Sequence, residues 1–221
     1  MTTMTHDDYT VAWICALPLE AAVARSMLDR THSPLPIPST DSNAYQLSEL
    51  NSHYIVIASL PNGIYGKVSA ATVGSRIRST FPQLQYRLMV GIRGGVPDKS
   101  HNIQLGNIVV SKPAGKHSRV IQYDYGKAIQ DNQFEATRTL NKPPQVLLTH
   151  IGQLEAKQMT EGQNALCHIV DKTLIQNPNI QEQFSPPDQH TDFLFHSSYH
   201  HIARKDTYKH CDKEKLYKWQ P

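Results

Sequence analysis

The chain has 221 residues, 39% of them hydrophobic and 19% charged, an ordinary globular composition that excludes wholesale disorder. No run approaches 18 consecutive apolar residues, which excludes a transmembrane helix, and Met1–Asp8 lacks the basic-then-apolar layout of a signal peptide. The net charge is +3, and Arg204–Lys218 alone holds six basic and three acidic residues, so the remainder balances and a nucleic-acid partner is not expected. Three scattered cysteines, Cys15, Cys167 and Cys211, argue against a disulfide framework and for a reducing, cytoplasmic setting.

Tyr9–Ala16 (YTVAWICA) is a near-continuous apolar run suited to a buried strand, and Leu19–Leu28 follows with helical character. Thr31–Asn43 carries three prolines and reads as a surface loop. Tyr54–Leu60 is a second strand. Lys67–Thr80 is a helix with Val68, Ala71, Val73 and Ile77 available for one apolar face. Arg87–Ile92 and Ile108–Ser111 are expected as a third and fourth strand. Pro143–Ala156 reads as a helix with proline in its first turn. Residues 1–160 thus form an α/β core, a mixed, largely parallel sheet flanked by helices. Residues 161–221 are an irregular, polar continuation with one short helix at Cys167–Gln176 and a loop over Asn177–Asp192.

Three loops are candidates for chemistry. All eleven glycines lie between Gly63 and Gly162, so tight backbone approach to a ligand is confined to the middle of the chain. The turn after the first strand carries Glu20. It is either a first-turn acid favoured by the helix dipole or a carboxylate facing a ligand at the strand end. Gly63-Ile64-Tyr65-Gly66 joins the second strand to its helix and lacks the Walker spacing. Gly91-Ile92-Arg93-Gly94-Gly95 follows the third strand. Such loops at one sheet edge point to a shared pocket more strongly than any one of them does. His196, His200, His201, His210 and Cys211 match no familiar zinc spacing, so no metal is expected. Cys15, inside a strand, reads as a packed small hydrophobe.

Four segments together, YTVAWICALPLEAA, LPNGIYGKVSAATV, LMVGIRGGVP and IQLGNIVVSKP, resemble the purine nucleoside phosphorylase / methylthioadenosine–S-adenosylhomocysteine nucleosidase superfamily. The likeness is to the fungal variety, often the leading domain of larger proteins. It covers Tyr9 to about Leu148, and more loosely Thr191–Lys215. It implies a three-layer α/β fold and cleavage of the N-glycosidic bond of purine nucleosides or 5′-substituted adenosines, without a cofactor. In that chemistry a nucleophile approaches an oxocarbenium-like sugar while the base leaves with a proton. The resemblance places Glu20 at the nucleosidase carboxylate. It places Gly63, Ile64 and Gly66, with Ile92, Arg93 and Gly94, on the pocket walls. No arginine precedes Arg25 to clamp phosphate, so the resemblance leans to hydrolysis.

Two departures qualify that expectation. Arg93 stands where relatives have a small residue; pointing inward it would fill the pocket or recruit an anion, and pointing outward it would be inert. The family's later Met-Glu pair for the ribose and its base-protonating Asp have no counterpart up to Pro221. The expectation is therefore a fold incomplete at its C-terminal end, with an open sheet edge, an exposed apolar face and weak or no turnover. The alternative is a non-catalytic nucleoside-binding or protein-interaction module, self-associating or pairing with a full-length relative, with no membrane partner.

Overall fold

A computed structural model describes residues 4–95, 103–113, 120, 126–128, 134–136, 142–162, 164–184, 193–196, 198–200, 208 and 211–217. The chain divides into two compact units, Met1–Gly94 with Ile169–Ser185, and Gly95–His168 with Pro186–Pro221.

The first unit is an open α/β layer structure. Its five strands are β1 (Val11–Cys15), β2 (Arg30–Thr31), β3 (Tyr45–Leu50), β4 (His53–Ser59) and β5 (Tyr86–Met89), in the spatial order β2-β3-β4-β1-β5. β1 lies between β4 and β5 and is parallel to both, whereas β2, β3 and β4 are antiparallel neighbours. The apolar runs at β1 and β4 are continuous because helices cover both faces. Helix α2 (Lys67–Thr80) lays Val73 and Ile77 on Ala12, Ile14, Val56 and Ala58. Helix α1 (Pro18–Ser26) lays Ala24 on Cys15, Ile55 and Ile57 from the opposite side. Alternate residues of one strand thus serve two separate cores.

Helix α2 has the limits the sequence predicts, Lys67 and Thr80. Gly66, at φ 103, caps its start, and Phe81 anchors its end in the core. The proline-rich loop is pinned rather than free. Asp41 accepts from the Tyr45 and Thr80 hydroxyls and from the Asn43 N–H, tying the loop to β3 and α2.

The β2–β3–β4 meander was not expected from the sequence. Tyr45–Leu50 (YQLSEL) has too few apolar residues to stand out, and its turn to β4 lacks glycine. Asn51 and Ser52 both adopt positive φ, 49° and 63°, the signature of a tight hairpin turn that glycine would serve at lower strain. The Asp29 carboxylate braces it by accepting the Asn51 N–H at 2.6 Å.

Also in the first unit, α5 (Pro178–Phe184) lies within the stretch expected as a loop. Proline at the first helical position forgoes an N–H that the helix does not use, so Pro178 starts a helix rather than preventing one. Asn177, just before it, donates to the Ser26 carbonyl at 3.2 Å. Residues 185–192 of that expected loop lie outside the described residues.

In the second unit, β6 (Gly126–Ala128) and β7 (Phe134–Ala136) form an antiparallel hairpin. Helix α3 runs Gln145–Glu161, with Pro144 preceding it and Gly162, at φ 77, ending it. Lys112 pairs with Glu155 of α3 at 2.6 Å. Helix α4 covers Asn164–Gln176, and from Ile169 onward it belongs to the first unit. The expected strand at Ile108–Ser111 does not form. Its residues make no ladder among the described residues, and Ile108, Val109 and Val110 stay exposed, so the segment has neither the pairing nor the burial that stabilises a strand. Phe195 stacks with Tyr199 and with Tyr208, and a backbone bridge joins it to Leu216.

Candidate functional site

The register puts the three candidate loops on one edge of the sheet. Cys15 of β1 pairs with Ser59 of β4, and Ile14 with Met89 of β5, so all three parallel strands end together. The turn to α1, the Pro61–Gly66 loop and the 90–95 segment all leave from that C-terminal edge, where open α/β sheets bind ligands.

Glu20 occupies the third position of α1, and its side chain folds back onto the helix start. Oε2 accepts the backbone N–H groups of Ala16 at 2.6 Å and Leu17 at 2.9 Å. The donors are the N-cap residue Leu17 and the residue before it, so the carboxylate folds back over the start of a helix that begins with proline. Oε1 accepts the Ile92 N–H at 2.9 Å, across a sequence separation of 72 residues. The carboxylate therefore clasps the loop after β1 to the loop after β5.

Burial alone would raise the Glu20 carboxyl. The Ile92, Leu17 and Ala16 N–H donors and the Arg93 charge outweigh it, and its pKa lies below the ordinary carboxylate value. A carboxylate offers about four acceptor positions, and described residues fill three of them, so among the described residues one is left for a water or a sugar hydroxyl. The same bonds make Glu20 a weak base.

The expected residues divide into two groups. Glu20, Ile92 and Arg93 are brought together: the Ile92 backbone binds the carboxylate, while its side chain is 61% exposed. Arg93 is exposed, so it does not plug a cavity, yet its charge reaches the Glu20 carboxylate. Gly94 is adjacent in open space. Gly63, Ile64 and Gly66 stand on the same sheet edge, but no hydrogen bond links them to Glu20 among the described residues. Gly63, at φ 78, forms a turn in which the Ile64 N–H reaches the Pro61 carbonyl at 3.0 Å, and Ile64 points largely to solvent. These two glycines serve backbone conformation, with nothing within 4 Å of an added Cβ.

Gly91, placed by the sequence in the third candidate loop but not among its pocket residues, is the glycine that meets the carboxylate. A Cβ on it would lie 2.3 Å from Glu20 Oε1 and 2.7 Å from its carboxyl carbon. The glycine density of the 91–95 segment was the available signal, but it does not say which glycine faces the carboxylate. No group of His, Cys, Asp or Glu among the described residues could hold a metal ion. His201 and His210 lie outside those residues.

No protein-family model matches this chain, and no solved structure does. A nucleotide-binding leucine-rich repeat (NLR)-like protein of Hyaloscypha variabilis is 40% identical over 193 residues, which cover 87% of this chain and 19% of that protein. The chain thus spans about a fifth of the length of this relative, and almost all of it is homologous to a segment there.

Proposed function

We propose that the chain is a nucleoside phosphorylase-like domain of the nucleosidase type, holding a purine nucleoside or 5′-substituted adenosine at the C-terminal edge of β1, β4 and β5 with weak turnover. The observation that carries this reading is the Glu20 carboxylate, fixed between the turns after β1 and β5 with one acceptor position that no described residue takes. That position suits a sugar hydroxyl or an attacking water. Three backbone donors and the neighbouring Arg93 keep the carboxylate charged but weakly basic, which favours holding over proton abstraction. The segments quoted above supply the link to N-glycosidic chemistry. The three cysteines are unpaired, in keeping with a reducing, cytoplasmic setting.

The test is a titration and a turnover assay with methylthioadenosine, adenosine and inosine, each with and without phosphate. Binding of at least one nucleoside, with slow base release indifferent to phosphate, is the expected result. Glu20→Gln, checked for folding by circular dichroism, weakens both. Fast turnover would refute weak catalysis, and no heat of binding with any nucleoside would refute the pocket.

A second reading, a non-catalytic interaction module, is favoured by the exposed apolar side chains of β5 and by the much greater length of the NLR-like relative. Titration of Arg93→Gly separates the two readings. A changed nucleoside affinity supports the pocket, and silence from both proteins supports the module.

A further inference from the structure

Of the chain's asparagines, Asn62 alone is followed by glycine. The pair lies in the loop between β4 and α2, and both residues are exposed. The Ile64 N–H reaches the Pro61 carbonyl at 3.0 Å, and Gly63 has φ 78, the conformation of the third residue of a type II turn. Among the described residues, neither the Gly63 N–H nor the Asn62 side-chain NH2 makes a hydrogen bond. The Asn62 side chain has one polar contact, a long 3.4 Å bond in which the Tyr65 hydroxyl donates to Oδ1. That contact draws electron density from Cγ and leaves the amide nitrogen free to depart.

Three other asparagines show the contrast. The Asn43 NH2 group donates to the Tyr45 hydroxyl at 2.8 Å and the Val73 carbonyl at 3.2 Å. Asn107 Oδ1 accepts the Gln104 N–H at 2.8 Å, and the next residue is the β-branched Ile108. Asn177 precedes Pro178, which has no N–H to react.

We propose that Asn62-Gly63 is a self-modification site, at which Asn62 converts spontaneously to isoaspartate and aspartate through a succinimide. The Gly63 nitrogen, after losing its proton, attacks Asn62 Cγ. The N–Cγ bond forms as the Cγ–Nδ2 bond breaks, and Nδ2 leaves as ammonia with that proton. One water then opens the ring. Cleavage of the N–Cγ bond gives aspartate. Cleavage between the nitrogen and the backbone carbonyl carbon gives isoaspartate, whose main chain is one carbon longer. Neither step is a redox reaction. Glycine suits the first step because it has no side chain to shield the nitrogen or to resist the peptide rotation that brings it to Cγ. Either product adds a negative charge to the loop, and the extra carbon of isoaspartate breaks the Pro61–Ile64 spacing. The chemistry is local to residues 61–65 and independent of the nucleoside reading.

The experiment incubates the whole chain in mildly acidic and mildly alkaline buffer, with and without urea. Peptide mass spectrometry reads the replacement of NH by O at residue 62. An endoprotease that cuts before aspartate but not before isoaspartate separates the two products. Conversion at Asn62 in the folded chain is expected to outpace that at Asn43 by about tenfold or more, and to rise with pH because the nitrogen reacts without its proton. Gly63→Ala is expected to slow it by a similar factor. Asn62→Gln keeps the glycine and is expected to abolish the early release of ammonia, since its longer side chain must close a six-membered ring. Conversion no faster at Asn62 than at Asn43, conversion confined to the urea-treated chain, or a rate that Gly63→Ala leaves unchanged would each overturn the proposal.

Discussion

The Glu20 carboxylate fills the space that a side chain at Gly91 would take. An added Cβ would sit 2.3 Å from Oε1, well inside van der Waals contact. The next residue, Ile92, then donates its N–H to that same oxygen. A missing side chain and a backbone donor, side by side, thus fix one charged group against the end of β5.

Gly91→Ala should therefore displace the carboxylate and strand its backbone donors. The expected cost is about 1–3 kcal/mol, the range for forced overpacking and for buried groups left unpaired. Urea denaturation of the purified variant measures it as a lowered midpoint. Gly94→Ala is the control, because an added Cβ there meets nothing within 4 Å, and it should match the wild type. Equal midpoints for all three proteins would show that the close approach is not made.

The same group sets a pH dependence. The folded Glu20 pKa is depressed, so the carboxyl binds its proton more tightly in the unfolded chain. Its contribution is full above the unfolded value of about 4.3 and is lost as pH falls through the lower folded value. Asp41 is shifted the same way: its bonds to Thr80, Tyr45 and Asn43 outweigh the effect of burial. Wild type and Glu20→Gln share Asp41, so the difference between them isolates Glu20. The gap between their urea midpoints should be widest near pH 7 and should close below about pH 4. A gap that stays constant with pH would show that the charge on Glu20 does not matter to stability.

Cysteine reactivity should be strongly graded. Cys15 is fully buried, and its thiol is pushed up to about 11 by burial and by the nearby Glu20 charge. Thiolate is the reactive form, so iodoacetamide near neutral pH should spare Cys15 until the chain unfolds. Cys167 is exposed and should be alkylated in the native protein. Peptide mass spectrometry of native and urea-treated samples gives both results. Cys15 and Cys167 labelling at equal native rates would contradict the packing of β1 under α1.

Some of this architecture is written in local sequence. The apolar runs of β1 and β4 show strands buried on both faces, and the pattern of α2 fixes that helix to its observed limits. The β2–β3 pair escaped because an antiparallel strand with one half-polar face, such as Tyr45–Leu50, carries a weak apolar signal. Ile108–Val110 errs the other way. Its composition is that of a strand, but a strand exists only where another offers its peptide groups.

The candidate site divides along the same line. That Glu20 follows a buried strand, and that glycines gather after two others, is determined by the chain itself. That Glu20 reaches Ile92, that Gly91 yields the room, and that Arg93 reinforces the charge were decided only when β1 and β5 became neighbours. The partners in that clasp are mostly backbone N–H groups. Every residue but proline carries one, so no residue type marks them, and only the fold selects which of them meet the carboxylate.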